Sequence, residues 1–300
     1  MRIIRYTVLL ALLPLASCGK EPMPSLDSLV NAAVEVAEAE RFVPKKLFHL
    51  SNLKIDPFTK NAQGMDIYDD RYLFQAGIEQ NTIHVIDLQE SKALGTIWFA
   101  TPSGESCHMN NINCGVKLYS FDKYPVIYLS QTEKSKACFV LRLDNNLESF
   151  QIIQTIYYSG TGHYLSNSAF DWFIDPVNNL IYTYGKYNGD SNKREIMKFP
   201  LPTLDAKEIS FTDDDILDSF VLEDQSIYQG SRIIDGLLYA PVGYGNTQHP
   251  GRLIIIDLGK KEVVGDIPLS IGEPEAIGKY KSGAIISTGG KNPVYYFIAI

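Results

Sequence analysis

Residues 228–269 read YQGSRIIDGLLYAPVGYGNTQHPGRLIIIDLGKKEVVGDIPL, and they decide the fold. Four short runs rich in β-branched and aromatic residues are separated by Gly, Asp, Asn and Pro. The runs are YQGSRIID (228–235), LLYAPVGY (237–244), RLIIIDL (252–258) and VVGDIPL (263–269). Because such runs favour strands and the residues between them favour turns, the stretch predicts four consecutive antiparallel strands without an intervening helix.

The same group of four runs recurs along the chain. First strands begin near residues 64, 108, 168, 228 and 273, at spacings of 44, 60, 60 and 45 residues. A polar turn such as Asp235-Gly236 precedes the second strand, and an Asp such as Asp87 or Asp257 ends the third. Four-stranded repeats of this length predict an all-β fold, a β-propeller. A β-sandwich is the alternative, but it does not explain the grouping by four.

The number of strands indicates how the ring closes. The last group has three runs, and an unassigned run, KKLFHLSNL (45–53), precedes the first group. If residues 45–53 supply the missing outer strand, five blades of four strands close without an exposed edge. In the third group, KEISF (207–211) is assigned as the fourth strand.

The beginning of the chain resembles a bacterial lipoprotein signal. Arg2 and Arg5 precede a short apolar run, YTVLLALLPL (6–15), which is too short to span a bilayer. Leu15-Ala16-Ser17-Cys18 is similar to the lipobox. This resemblance implies a signal peptide over 1–17, acylation of Cys18, and a lipid bilayer as a partner. Gly19 after Cys18 implies the outer membrane, with the domain facing the periplasm or the cell surface.

The remaining chain divides into two parts. Residues 18–43 form a lipid-anchored tether that includes a predicted helix over 26–42, and residues 44–300 form the propeller. Without Arg2 and Arg5, 25 basic residues face 35 acidic ones, so the net charge is near −10. An acidic chain without a clustered basic face is not expected to bind nucleic acid.

Three cysteines follow Cys18, namely Cys107, Cys114 and Cys138. Three is an odd number, and none of them forms a C-x-x-C pair. If 107–114 is extended, its ends lie roughly 23 Å apart, so those two cannot bridge. We expect buried free thiols.

Polar residues at the starts of the first strands are the site candidates, because these strands line the central channel of a propeller. In the simplest interpretation such groups hold water and one another. The five histidines are scattered, and no metal, P-loop, Rossmann or G-x-S-x-G motif occurs, so no metal and no cofactor is expected. Asp213–Asp215 is expected to be an exposed turn. The candidate residues are Asp66, His108, Asn110, Asn111, Asn167, Asp171, Gln229, Arg232, Glu273 and Glu275.

Residues 228–277 resemble a blade of the five-bladed glutamine cyclotransferase propellers. The similarity rests on Gln229-Gly230, on Gly243-Tyr244-Gly245, and on Glu273 or Glu275. The resemblance implies an enzyme that cyclises an N-terminal glutamine in its channel, with a carboxyl group as proton shuttle. HMNNINCGVKLYSFDKYPVIYLSQ (108–131) is likewise similar to exported propellers.

Three functions follow from these features. The leading one is a membrane-tethered propeller that binds a small ligand or a protein or glycan partner at the channel mouth. The second is a cyclotransferase-like or lyase-like enzyme using Glu273 or Glu275, with His108 or Gln229 orienting the substrate. The third is a structural component of a cell-surface assembly. Carboxylates that converge within hydrogen-bond reach of His108 would favour the enzyme. A channel filled by apolar side chains would leave only the rim of the propeller for contacts with a partner.

Overall fold

The computed structural model describes residues 41–58, 61–78, 81–99, 108–132, 136–164, 170–223, 226 and 228–300. In these residues the chain forms five sheets and two short 3₁₀ turns, without an α-helix. The predicted all-β, five-bladed propeller is confirmed. The predicted helix over 26–42 lies outside the described residues, apart from a turn at 41–42. Within the described ranges, no helix is long and apolar enough to cross a bilayer.

The strands follow one another blade by blade. The chain opens with β1 (Lys45–His49) and a 3₁₀ turn (Leu50–Leu53); a second 3₁₀ turn covers Asp213–Asp215. The first blade holds β2 (Ala62–Tyr68), β3 (Tyr72–Gly77), β4 (Thr82–Asp87) and β5 (Lys92–Trp98). The second holds β6 (Asn111–Cys114), β7 (Ile127–Ser130), β8 (Cys138–Leu143) and β9 (Phe150–Tyr158). The third begins with β10 (Phe170–Asp175), β11 (Leu180–Lys186) and β12 (Arg194–Pro200), followed along the chain by β13 (Glu208–Phe211) and β14 (Asp218–Leu222). The fourth holds β15 (Arg232–Ile234), β16 (Leu237–Val242), β17 (Arg252–Asp257) and β18 (Glu262–Pro268), and the fifth β19 (Pro274–Tyr280), β20 (Gly283–Thr288) and β21 (Val294–Ala299).

The N-terminal strand closes the ring. β1 pairs antiparallel with β21, with Lys45 opposite Phe297, and so becomes the outer strand of the fifth blade. Phe48 stacks on Tyr295 with ring centroids 4.4 Å apart, which joins the two ends of the domain by packing as well as by hydrogen bonds. The predicted closure by 45–53 is confirmed.

One strand assignment was wrong. β13 is not the fourth strand of the third blade, because it pairs in parallel with β9 as a fifth strand of the second blade. β14 occupies the fourth position and pairs with β12. The reason is packing, since Phe211 at the end of β13 stacks on Phe199 at 4.6 Å in the core between the two blades. Alternation along KEISF predicts a strand but does not determine its neighbour.

Two kinds of turn repeat between the strands. In the β2–β3 and β15–β16 hairpins both central residues have positive φ, 55° and 49° at Asp69-Asp70 and 52° and 80° at Asp235-Gly236, as hairpin turns of two residues require. At the end of the third strand, Asp257 Oδ1 accepts the backbone N–H groups of the following turn over 3.0 and 2.9 Å. Hydrogen bonds of this kind from an Asp side chain to the turn explain why Asp recurs at the end of the third strand.

The hydrophobic core consists of five clusters, each between two neighbouring blades. In the cluster between the first and second blades, for example, Phe74 of β3 and Leu129 of β7 are completely buried. Cys114 and Cys138 are buried free thiols, as predicted, and burial raises the pKa of both. Cys107 lies outside the described residues.

The innermost strands β2, β6, β10, β15 and β19 surround the channel. They approach closely, since a Cβ atom on Gly64 would lie 2.7 Å from the backbone of Asn111. We call the face where the innermost strands begin the mouth face and the face where they end the base face. Neighbouring strands of a blade run in opposite directions, so β19 and β21 end at the base face and β1, antiparallel to β21, begins there. The described part of the chain therefore enters the domain at the base face.

Candidate functional site

A hydrogen-bonded chain of three side chains lies at the channel mouth. Gln63 Nε2 donates to Glu275 Oε2 over 3.2 Å, and Gln63 Oε1 lies 3.0 Å from His108 Nε2. Because an amide oxygen only accepts, Nε2 of His108 carries the proton in this arrangement. Gln75 on β3 donates to the backbone carbonyl of Gln63 over 2.5 Å and fixes its position. The hydrogen bonds between Gln63, His108 and Glu275 thus connect the first, second and fifth blades.

Glu275 is buried and only half satisfied. Its exposed fraction is 1%, and Oε1 has no hydrogen-bond partner among the residues that the structure describes. Burial, and next the nearby carboxylate of Glu273, raise the pKa of Glu275 well above its ordinary value; burial also raises the pKa of Glu273. A Cβ on Gly289 would lie 2.8 Å from Glu275 Oε1 and 2.9 Å from Glu273 Oε2, so these two oxygens are less than about 6 Å apart. Two carboxyl groups therefore converge at the mouth.

A third carboxyl group, that of Asp171 on β10, lies across the channel and accepts several hydrogen bonds. It accepts hydrogen bonds from Asn110 Nδ2 over 2.5 Å, Thr132 Oγ1 over 2.7 Å and Ser130 Oγ over 3.0 Å. Burial raises the pKa of Asp171, and these three donors together with the charge of His108 oppose the rise. Asp171 thus fixes the orientation of Asn110 within the mouth.

Asp66 and Arg232 lie deeper in the channel than the mouth residues. Asp66 lies three positions after Gln63, and Arg232 lies three positions after Gln229. Three residues of a strand span about 10 Å, so both side chains lie about that much further from the mouth. Arg232 Nη1 lies 2.9 Å from Asp66 Oδ2, close enough for an ion pair but not aligned as a hydrogen bond. Asp66 Oδ2 also accepts the backbone N–H of Cys114 over 2.6 Å. Burial raises the pKa of Asp66 despite the opposing charge of Arg232.

The predicted site residues therefore separate into groups. His108, Asn110, Asp171, Glu273 and Glu275 meet at the mouth, whereas Asp66 and Arg232 form the deep pair. Asn111 is structural, because its Nδ2 donates to the carbonyl of Trp172 over 2.9 Å and joins two blades. Gln229 is buried at the start of the fourth inner strand. Asn167 lies outside the described residues.

Gln63 was missed by the sequence analysis, although it makes the central contacts of the mouth. A signal was present, since Gln63-Gly64 opens the first inner strand in the same way as Gln229-Gly230 opens the fourth. The pattern of apolar residues predicts a first strand from about Gly64, whereas β2 begins two residues earlier, at Ala62. The repeat of Gln-Gly would have identified the position.

The segments that resemble the cyclotransferase blade come together at the mouth. The Gly230 N–H donates to the Glu275 carbonyl over 2.7 Å, and Gly245 packs against the backbone of Gly272 and Glu273. An open cleft of about 360 Å³ lies beside this loop, but its lining includes Tyr244, His249 and Arg252 and neither glutamate. Within the described residues, no group of three or more His, Cys, Asp or Glu side chains is placed to hold a metal ion.

The sequence matches no protein-family profile and no curated protein. Solved structures with a similar fold include the tail fibre of Staphylococcus aureus phage P68, with a TM-score of 0.51 and 12% identity. The match covers 91% of this protein but only 56% of the tail-fibre chain. A luciferin-regenerating enzyme has a TM-score of 0.49 and 11% identity, covering 86% of this chain and 95% of its own. A glutaminyl cyclase of Myxococcus xanthus has a TM-score of 0.45 and 12% identity, covering 86% and 97%. At such identities the likeness concerns the fold.

Chemically, the mouth combines a carboxyl group that holds its proton tightly with a second one that is half exposed. Glu275 Oε1 is buried without a partner among the described residues, and Gln63 and His108 continue the hydrogen-bonded series from the other oxygen of the same carboxyl group. Such an arrangement can bind a polar group and can exchange a proton with it.

Proposed function

We propose that the channel mouth binds a small polar ligand that carries a primary amine or primary amide. The observation that carries the proposal is the unpartnered Oε1 of Glu275, buried beside Glu273. A buried polar atom without a partner costs roughly 1–3 kcal/mol, and a ligand that supplies the missing hydrogen bond removes this cost. A primary amide can accept the proton of Glu275 at its oxygen and donate its –NH₂ to Glu273, and a primary amine can take that proton and donate as –NH₃⁺ to both carboxylates.

The side chains around Glu275 support binding rather than a purely structural ring. Asn110 and Asp171 are polar and fixed in position, and His108 completes the mouth. Among the described residues the mouth is lined by polar groups, whereas apolar side chains filling the channel would leave only the rim for contacts with a partner. A protein or glycan partner that inserts an amide at the mouth is an alternative outcome of the test below.

The test is a thermal-shift screen of primary amides, primary amines and carboxylates of matched size. Ligands that bind the folded protein raise its unfolding midpoint. We expect amides or amines to raise the midpoint of the wild type and of Glu262→Gln, whose glutamate is exposed on β18, but not that of Glu275→Gln. Equal shifts in all three proteins would place binding elsewhere.

A second candidate function is a cyclotransferase-like activity in the same mouth. The convergence of Glu273 and Glu275, with His108 connected through Gln63, favours it, as does the position of Gln229-Gly230 against Glu275. In this reaction the α-amine of an N-terminal glutamine attacks its own side-chain amide carbon and ammonia leaves. Glu275 would pass a proton from the attacking amine to the departing ammonia, a role that suits a carboxyl with a raised pKa. A lyase-like proton transfer would use the same carboxyl group.

The assay is pyroglutamate formation from a Gln-initiated peptide, with an N-acetylated peptide as the substrate control. Turnover by the wild type and by Glu262→Gln, with a loss of at least 100-fold in Glu275→Gln, would support the activity. Absence of turnover, or equal turnover in all variants, would rule out catalysis by Glu275 and leave the binding function.

We also propose that Cys18 is acylated and that the chain is tethered to the outer membrane. The proposal rests on Arg2, Arg5, the apolar run 6–15 and the lipobox-like Leu15-Ala16-Ser17-Cys18. Labelled palmitate is expected to enter the wild type and Cys107→Ser but not Cys18→Ser. Labelling of the Cys18→Ser chain would contradict the assignment.

A further inference from the structure

The base face carries a loop with several exposed apolar side chains. Val116, Tyr119 and Phe121, in the connection between β6 and β7, are 61%, 47% and 67% exposed. Val177, in the β10–β11 turn of the neighbouring blade, is 86% exposed on the same face. Single exposed apolar residues are ordinary, but three within six residues mark a contact surface.

The aromatic side chains of this loop are held in place while exposed. The rings of Tyr119 and Phe121 stack with centroids 5.1 Å apart, and the guanidinium of Arg142 lies 4.6 Å and 5.6 Å from the two centroids. Arg142 Nη2 donates to Asp122 Oδ1 over 2.8 Å, which fixes the guanidinium. The exposure is therefore built into the loop, and little side-chain entropy remains to be lost on binding.

The charges around the loop are mixed, with basic side chains beside its aromatic rings and exposed acids, Asp69 and Asp70, on the β2–β3 turn of the neighbouring blade. Lys117 and Lys123 flank the aromatic pair, and Arg142 lies beneath it. The acid of this loop, Asp122, is 4% exposed and paired with Arg142; an exposed acid, Glu148, lies in the adjacent β8–β9 hairpin. Aromatic rings with basic side chains at their edge are the composition of surfaces that bind at the headgroup level of a bilayer.

The chain enters the domain from the same face. The Phe42 N–H donates to the Ala299 carbonyl over 3.1 Å, and Phe42 packs against the cluster that contains Ile234, next to the Asp235-Gly236 turn. Cys18 therefore connects to the domain at the base face, with 22 residues between it and Arg41. An anchor at that distance does not by itself decide which face meets the bilayer.

We propose that the Val116–Phe121 loop docks on a bilayer surface, so that the base face lies against the membrane and the channel mouth points away from it. This inference rests on the membrane tether proposed above. It implies that ligands reach Glu275 from the aqueous side, not from the bilayer.

The test places a tryptophan on each face and measures quenching by brominated lipid. The two reporters are Phe121→Trp on the base face and Tyr244→Trp on the mouth face, both in a Trp98→Phe background. The other tryptophan, Trp172, is 2% exposed and serves as a constant. The full-length Cys18→Ser chain carries an N-terminal hexahistidine and is attached to phosphatidylethanolamine–phosphatidylglycerol (3:1) vesicles that contain nickel-chelating lipid, so the result does not depend on acylation.

We expect brominated acyl chains to quench Phe121→Trp at least twofold more than Tyr244→Trp, and Val116→Ser with Tyr119→Ser to remove the difference. The proposal would be overturned by equal quenching of the two reporters or by stronger quenching of Tyr244→Trp. It would also be overturned if the protein floats with the vesicles but neither reporter is quenched, and a protein partner would then be the occupant of the loop. If palmitate labelling of Cys18 fails while Phe121→Trp is quenched, docking holds and only the acyl anchor is wrong.

Discussion

Within the described part of the chain, Glu275 accepts one side-chain hydrogen bond, from Gln63 Nε2 over 3.2 Å, and its other oxygen is buried without a partner. The two residues lie 212 positions apart and meet because closure of the ring brings the first and fifth blades together. This contact defines the mouth, and the predictions below test its consequences.

Replacing Glu275 by Gln should stabilise the protein in a pH-dependent way. The pKa of Glu275 is raised in the folded state, so the stability it contributes is complete below its ordinary pKa of 4.5 and is lost as the pH rises through the folded-state pKa. Each unit of pKa difference corresponds to about 1.4 kcal/mol. Thermal unfolding from pH 4 to 8 should show wild type and Glu275→Gln converging at low pH and the variant more stable at high pH. Parallel curves would show that burial does not raise this pKa.

Gly289→Ala should disturb the mouth without unfolding the protein. The added Cβ would come within 2.9 Å of a carboxyl oxygen of both Glu273 and Glu275, and these flexible side-chain ends can move aside. We expect a loss of at least tenfold in affinity for the ligand found by the screen, and a stability change below about 1 kcal/mol. Gly272→Ala is the control, because nothing lies within 4 Å of its Cβ position. Similar ligand affinities in Gly289→Ala and Gly272→Ala would show that the ligand does not bind at Glu273 and Glu275.

Asp171→Asn should destabilise the protein by about 1–3 kcal/mol, because the new amide group meets donors where a carboxylate accepted three hydrogen bonds. Thr132→Val removes one of these donors and should cost less, about 1 kcal/mol. Urea unfolding of both variants measures the difference. A larger loss in Thr132→Val than in Asp171→Asn would contradict the assigned network.

The deep pair should behave as a coupled unit. Arg232→Gln leaves Asp66 buried without its cation and is expected to cost about 3–5 kcal/mol. Asp66→Asn with Arg232→Gln should cost less than Arg232→Gln alone, because the buried charge is then absent. A double-mutant cycle by urea unfolding decides this, and additive effects would argue against the pair.

Much of the fold could be predicted because each blade repeats the same local chemistry. Turns such as Asp235-Gly236 and strand-ending residues such as Asp257 recur along the chain, and the number of strands predicts closure by β1. The neighbour of β13 could not be predicted, because Phe211 is placed by a contact with Phe199 in the next blade.

The site was predictable in composition but not in grouping. Polar residues at the starts of inner strands do line the channel, yet the depth of each depends on the stagger of neighbouring blades, which separates Asp66 and Arg232 from Glu275. Gln63 was missed because a single sequence shows the start of a strand only approximately. Cys18, Asn167 and the predicted helix over 26–42 remain predictions.

The most direct test of the binding site is a ¹³C NMR titration of the Glu275 carboxyl carbon, assigned by comparison with Glu275→Gln, with and without the ligand from the screen. The carboxyl signal should titrate well above the ordinary value of 4.5 and should shift when the amine or amide ligand is added. A Glu275 that titrates near 4.5 and does not respond to the ligand would contradict the account.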